Sequence, residues 1–280
     1  MANTINTNLS ALNTQNKLNK SDKTTQSALQ KLSSGKRINS AKDDAAGLAI
    51  ALKFAAQITG ANQATRNTND GISLVQTAEG GLQEVSDNLQ RMRELAVQSA
   101  NGTNSASDRE ALNLEYEQRQ AEVTRTVETT EFNGHKVLHD ANNLEFQTGP
   151  NADPATNKTV VSTSNVLSNA DVSEALTNTD LATHTASSDA ITKIDAALDQ
   201  VNQERARLGA TQNRLESTVN NLQSSSVSSS AARSRIEDTD YAKQTAELTR
   251  SLILNKAGVG ALAHSNINSS LVAGLLNKTF

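Results

Sequence analysis

The residues that might carry chemistry in this chain are few and poorly arranged for it. Four histidines occur, His135, His139, His184 and His264. His135 and His139 stand at i and i+4, a spacing that on a helix would aim two imidazoles at one metal ion. Gly134 places them in a turn region, however, and no third ligand lies near in sequence, so they read as surface histidines. Two acidic groups invite the same question. Asp43-Asp44 reads as the start of a helix, where carboxylates suit the helix dipole. Glu237-Asp238 with Asp240 reads as a solvated turn beside Arg233 and Arg235. Gly80-Gly81 lies within a regular apolar repeat and is no phosphate loop. The chain has no H-E-x-x-H, G-x-S-x-G or Walker-type pattern. Cysteine is absent, so thiolate nucleophiles, disulfides and Cys-ligated metals are impossible. The expectation is a non-enzyme with no catalytic residue, cofactor or metal.

The informative spacing is structural. From Ile191 to Ile236 two series recur every seven residues. Ile194, Val201, Leu208, Leu215, Leu222, Ser229 and Ile236 are almost wholly apolar; Ile191, Leu198, Arg205, Gln212, Val219, Ser226 and Arg233 alternate. Such a period demands a helix burying a narrow seam on a partner of the same period. The partner is Val75, Leu82, Leu89 and Ala96, with Ala78, Val85, Met92 and Ser99. Packing these two segments together puts both termini in one rod, with the middle of the chain looping at its far end.

Composition agrees. The 280 residues are 36% hydrophobic but only 2% aromatic, with no Trp and two prolines. That is thin material for a globular core, where aromatics supply much of the buried area, and it suits a helical bundle sealed by aliphatic residues. Both prolines, Pro150 and Pro154, fall in one central stretch. The net charge of −4 shows no basic stripe, so nucleic acid and anionic membranes are not expected partners. No apolar run reaches membrane-spanning length, and residues 1–15 carry no Sec-type leader. The protein then either stays in the cytoplasm or leaves by a route that reads no such leader.

In chain order, Thr4 to Leu32 reads as an amphipathic helix, ended by Ser33-Ser34-Gly35. A connector follows from Arg37 to Ala46, then a helix from about Asp44 to Ser99. Ser107 and Glu110 form a capping box for a helix reaching about Thr129. Phe132-Asn133-Gly134 is a turn. Leu144–Gln147 and Thr159–Thr163 predict a β-hairpin around Gly149–Pro154. Asn165 to Ser188 is polar and weakly patterned. The serines of 224–230 predict a softened seam, and apolar spacing resumes from Tyr241 to Phe280. The expected fold is mainly α: an elongated antiparallel helical bundle or coiled coil with a small β-hairpin at its distal end. Two domains are expected, 1–40 with 241–280 as terminal helices, and 41–240 as the rod with its hairpin at about 137–163. The terminal helices carry the weakest stripes and are expected to order only against each other and against other copies.

Long segments of the chain resemble bacterial flagellins. Ser33-Ser-Gly-Lys-Arg-Ile-Asn-Ser-Ala-Lys-Asp-Asp-Ala-Ala-Gly-Leu-Ala-Ile50 is similar to the family's N-terminal signature. Asn67 to Gly80, Leu89 to Ser99 and Phe132-Asn-Gly match its long helix and the turn before its hairpin. Ser234-Arg-Ile-Glu-Asp-Thr-Asp-Tyr241 matches its C-terminal signature. The resemblance implies a filament subunit for swimming motility, extracellular in location, exported unfolded by the flagellar type III system and polymerised at the tip. The terminal helices, with Ile5, Leu9, Leu12, Leu248, Leu252, Leu262 and Leu275, would line an inner tube. The seam of Val75, Leu82, Leu89, Ile194, Val201, Leu208, Leu215 and Leu222 would hold the outer tube. About fifty residues between Leu138 and Asp189 imply a short form without large projecting domains. Implied partners are other copies, a secretion chaperone at Tyr241 to Phe280, the hook–filament junction and cap proteins, and a host toll-like receptor at Arg91, Leu95, Gln98, Glu115 and Arg119. Three other classes are weighed against this. A junction protein shares helical termini, a central metalloprotease would need H-E-x-x-H, and a soluble coiled-coil adhesin would not need both signatures. The run Ser224–Ser230 and the ending Asn277-Lys-Thr-Phe280 depart from the family pattern.

Overall fold

The computed structural model describes residues 7–277, with side chains described for residues 7–267. Within them the elements are α1 (Leu9–Ser34), α2 (Ala45–Ser99), α3 (Ala106–Thr129), β1 (Glu131–Phe132), β2 (His135–Lys136) and β3 (Asn143–Gln147). The short α4 (Pro154–Asn157), β4 (Lys158–Ser162), α5 (Ala170–Thr177), α6 (His184–Glu237) and α7 (Tyr241–Asn277) follow. The chain is thus mainly helical, with long helices packed together and a small β-hairpin. It divides into two units, 1–56 with 228–280, and 57–227.

In the 57–227 unit, α2 and α6 run antiparallel. Ser187 Oγ donates to Ser99 Oγ at 3.0 Å, Arg93 holds Asp195 at 2.5 Å, Arg205 faces Glu79 at 3.9 Å, and Ser226 Oγ donates to Asn62 at 3.3 Å. One number falls as the other rises in step, so the register is constant over this whole length. The core between them is aliphatic. Val75, Leu82, Val85, Leu89 and Met92 meet Ile194, Val201, Leu208 and Leu215, with Tyr116, Val123 and Val127 of α3 closing the third side. Leu222 is buried apart from these, with Ala61 and Ala64. The serine run does not interrupt α6, which is helical through Glu237.

Helix ends follow local chemistry. Asn8 caps α1 by accepting from the Ala11 N–H at 3.0 Å, and Gly35 closes it in the left-handed region at φ 68°. The capping box of α3 lies two residues earlier than the S-x-x-E spacing predicts. Ser105 is the cap, and Asp108 returns the bond to the Ser105 N–H at 2.9 Å. Aspartate reaches as well as glutamate would because Ser105 is already extended.

Two small sheets lie between α3 and α6. Asn133 (φ 50°) and Gly134 (φ 79°) form the two-residue loop joining β1 to β2, a backbone that the right-handed twist of the strands favours. The predicted hairpin is β3 with β4, in register from Asn143↔Ser162 to Gln147↔Lys158. Its seat on α2 is shaped by glycine. A Cβ on Gly60 would stand 2.9 Å from Pro150 Cβ and 3.3 Å from its Cα. Asn67 Nδ2 donates to the Gln147 carbonyl at 3.0 Å, and Arg207 and Arg214 of α6 donate to the carbonyls of Ser162 (3.0 Å) and Val160 (3.3 Å) on the outer edge of β4. The weakly patterned stretch holds α5, capped by Asn169, with Val172 and Ala175 buried.

Candidate assembly and recognition surfaces

In the other unit α1 and α7 pair antiparallel. Asn8 Nδ2 donates to the Ser265 carbonyl at 3.0 Å, Ser21 Oγ to the Ser251 carbonyl at 3.0 Å, and Thr25 Oγ1 to Ser251 Oγ at 2.9 Å; Asn255 also bonds Asp22. The facing positions of α1 are Ala11, Thr14, Leu18, Ser21, Thr25, Ala28 and Leu32; those of α7 are Gln244, Leu248, Ser251, Asn255, Gly258, Leu262 and Ser265. Both rows alternate steps of three and four, the spacing of a coiled-coil seam. This seam escapes a search for apolar residues because small and polar side chains separate its four leucines.

Many of the large apolar residues point elsewhere. Leu9 is 63% exposed, Leu12 54% and Ile253 62%, and Leu29, Leu252, Leu254 and Val259 are exposed as well. Of the residues predicted for the inner tube, Leu9, Leu12 and Leu252 therefore face outward, while Leu248 and Leu262 lie on the α1–α7 seam. Ile5 lies outside the described residues, as does the side chain of Leu275.

At the end of this pair stands Glu237. Sequence reading places it in a solvated turn, but its side chain is nearly buried, held by Lys36 Nζ at 2.5 Å and Arg233 Nε at 2.7 Å. The Lys36 hydrogen bond, then that of Arg233, keeps its carboxyl below the usual carboxylate range. Arg233, four residues before it on the same helix, is the part of the arrangement that sequence could signal; Lys36, about two hundred residues away, is not. Its neighbour Asp240 is a cap, accepting from the N–H groups of Ala242 (2.9 Å) and Lys243 (3.1 Å). Asp43 accepts from the Asn39 and Ser40 N–H groups, which hold its carboxyl low, and Asp44 accepts from the Gly47 N–H at 2.8 Å.

In the 57–227 unit every residue of the predicted seam, Val75, Leu82, Leu89, Ile194, Val201, Leu208, Leu215 and Leu222, is buried. The surface predicted for a receptor is a charged ladder between α2 and α3. Arg91 Nε donates to Glu115 at 2.9 Å and Nη1 to Glu94 at 2.9 Å; Arg119 donates to Asn88 at 3.3 Å and lies 3.9 Å from Glu115. The Arg91 hydrogen bond holds the Glu115 carboxyl low. Gln98 is exposed beside it. Leu95 does not belong to this surface: at 1% exposure it lies on the inner face of α2, in the core. His139 Nδ1 hydrogen-bonds the neighbouring Asp140 Oδ1 at 2.9 Å, and no group of three metal-ligating side chains occurs among the described residues. No described helix is long and apolar enough to cross a membrane.

Comparison with known proteins identifies the family. Residues 5–143 match the bacterial flagellin N-terminal helical region and residues 191–276 the bacterial flagellin C-terminal helical region. A flagellin of Halalkalibacterium halodurans is 46% identical over 276 residues, covering 97% of this chain and 99% of the relative. The flagellin of Bacillus subtilis is 40% identical, and so is the flagellar filament 33 kDa core protein of Treponema phagedenis, each over 97% of this chain and 99% of its own length. A putative flagellar hook-associated protein from Vibrio parahaemolyticus shares the fold at TM-score 0.58, with 13% identity, over 70% of this chain and all of that one. Two packed helical units, a central stretch too short for projecting domains and full-length similarity lead to one conclusion: this chain belongs to the bacterial flagellin family, the structural, non-enzymatic subunits of the flagellar filament.

Proposed function

We propose that this flagellin leaves the cell through the flagellar type III route and polymerises at the filament tip, with its terminal helices forming the inner tube. The outward apolar rows of α1 and α7 carry this reading. Leu9, Leu12, Leu29, Leu252, Ile253, Leu254 and Val259 expose apolar area that a lone chain would leave in water at a cost of roughly 25 cal/mol per Å². Besides Leu18, Leu32, Leu248 and Leu262, the seam between the two helices is built of small and polar side chains, so further copies have much apolar area left to cover. The Tyr241–Phe280 segment, in which Leu252, Ile253, Leu254 and Val259 are exposed, is where a secretion chaperone would shield the chain before export. Junction and cap proteins would meet the same helices at the filament ends. Arg91, Gln98, Glu115 and Arg119 would form the surface read by a host toll-like receptor. Supercoiling would require two near-equal packings between copies.

The deciding experiment is polymerisation of the purified full chain, seeded, followed by sedimentation and electron microscopy, beside a chain lacking 1–32 and 241–280. Filaments from the full chain alone are expected. Filaments from both would refute the role given to the terminal helices.

A further inference from the structure

We infer that Glu237, Lys36 and the backbone around them form a latch that sets the register of α1 against α7. The inference rests on the α1–α7 pairing within one chain, which the proposed assembly then uses. The need for such a device follows from the seam. Small and polar side chains at Ser21, Thr25, Ser251 and Asn255 can hydrogen-bond in more than one alignment, and seam positions recur in steps of three and four, so a slip of one turn again sets seam against seam. In an ordinary helical hairpin a short loop removes this ambiguity. Here α1 and α7 lie at opposite ends of the chain, and no loop joins them.

The latch supplies what the loop would. Four strong contacts tie 35–38 to 236–239. The Glu237 carbonyl accepts from the Arg37 N–H at 2.6 Å, and the Gly35 carbonyl accepts from the Thr239 N–H at 3.0 Å. The Glu237 carboxylate takes the Lys36 ammonium, and the Arg37 guanidinium donates to the Ile236 carbonyl. Lys36 and Asp238 form an antiparallel bridge. Gly35 completes it. It ends α1 with positive φ, and a Cβ there would stand 3.0 Å from Tyr241 Oη at the start of α7. The last residue of α1 and the first of α7 are thereby fixed side by side. Every contact along the seam, out to Asn8 with Ser265, then follows at constant offset. Glu237 is a positioning residue: it is almost excluded from solvent and bound from both sides, and a buried carboxylate without its cation is costly.

Because the natural chain has no cysteine, register can be read by engineered disulfides in the full chain. Thr25→Cys with Ser251→Cys reports the native alignment, since those hydroxyls are 2.9 Å apart. Thr25→Cys with Asn255→Cys or Leu248→Cys reports a slip of about one turn either way. Each pair is oxidised in the free chain and in sedimented filaments, with the natural latch, Glu237→Gln, Lys36→Met or Lys36→Arg. With the natural latch and with Lys36→Arg the native disulfide should dominate. Glu237→Gln and Lys36→Met should lower its yield about tenfold relative to the slipped ones, the factor implied by one lost charge-assisted hydrogen bond. Unchanged native yield in Lys36→Met, or equal loss in Lys36→Arg, would overturn the latch. If the natural chain forms no filaments, the assembly reading fails, and the free-chain disulfides still decide the latch.

Discussion

Four glycines on α2 make a sharp test of how the 57–227 unit is packed. Alanine at any of them removes the same helix penalty, worth about 1 kcal/mol in a helix interior. What the added methyl meets differs at each. At Gly80 it meets nothing within 4 Å, and at Gly71 it makes ordinary contact, 3.5 Å from Phe146 and Leu215. At Gly81 it would stand 2.7 Å from Leu138 Cδ1 and 2.8 Å from Thr130 Oγ1. Neither can retreat easily: Leu138 is fully buried, and Thr130 Oγ1 is held by the Thr126 carbonyl at 2.6 Å. At Gly60 it would meet the Pro150 ring and backbone. Overpacking of this kind costs roughly 1–3 kcal/mol.

The neighbours Gly80 and Gly81 should therefore respond differently. Gly80→Ala should stabilise the unit by about 1 kcal/mol, and Gly71→Ala by at least as much. Gly81→Ala and Gly60→Ala should come out neutral to destabilising by about 2 kcal/mol, the overpacking cost less the helix gain. For a unit of this size 1 kcal/mol moves Tm by about 2–4 °C. Urea unfolding of the four variants as free chains, followed by far-UV circular dichroism, measures the differences. Equal stabilisation by Gly80→Ala and Gly81→Ala would mean that the segment after α3 does not sit on α2 as described. Stabilisation by Gly60→Ala would say the same of the β3–β4 loop.

Other substitutions test single contacts. Leu82→Ala, at a fully buried seam position, should cost about 2–5 kcal/mol in the same urea assay. Leu95→Ala should destabilise comparably, and any loss of receptor signalling should follow its unfolding; Arg91→Ala should lower signalling from folded protein. Tyr116 is buried with its hydroxyl 2.7 Å from Thr179 Oγ1, and burial pushes its phenol up to about 12. Tyr116→Phe should cost about 1 kcal/mol and remove the spectrophotometric titration near that pH. The Glu237 carboxyl is lower when folded than when unfolded, so its contribution is present above the usual carboxylate range and is lost as pH falls through the depressed value. Hydrogen-exchange protection of the Arg37 and Ile38 amides, which bond the Glu237 carbonyl, should fall in that acid window and not above it.

Legibility in the sequence followed how far each feature depends on distant pairing. The seam from Val75 to Leu89 and from Ile194 to Leu222 was visible because seven-residue recurrence is local, and one apolar series implies another. The β3–β4 hairpin was visible because strand residues flank a Gly-Pro turn. The α1–α7 seam obeys the same geometry, yet Thr14, Ser21, Thr25, Ser251, Asn255 and Gly258 conceal it, since a period written in hydroxyls and glycine looks like a surface. For the same reason the sequence does not separate the leucines at 9, 12 and 252, which face out of the pair, from those at 248 and 262, which lie on its seam. Leu95 was misplaced by the opposite error. A resemblance carries a residue's name, but its exposure is set by where the helix turns it, here to the inner face of α2 with Met92 and Ala96. Lys36 and Glu237 were legible only singly, as a connector lysine and a turn glutamate. Their pairing exists only once the two ends of the chain have met. On the proposed route of export and assembly this has a use: segments that cannot satisfy themselves early stay available for the copies they later join.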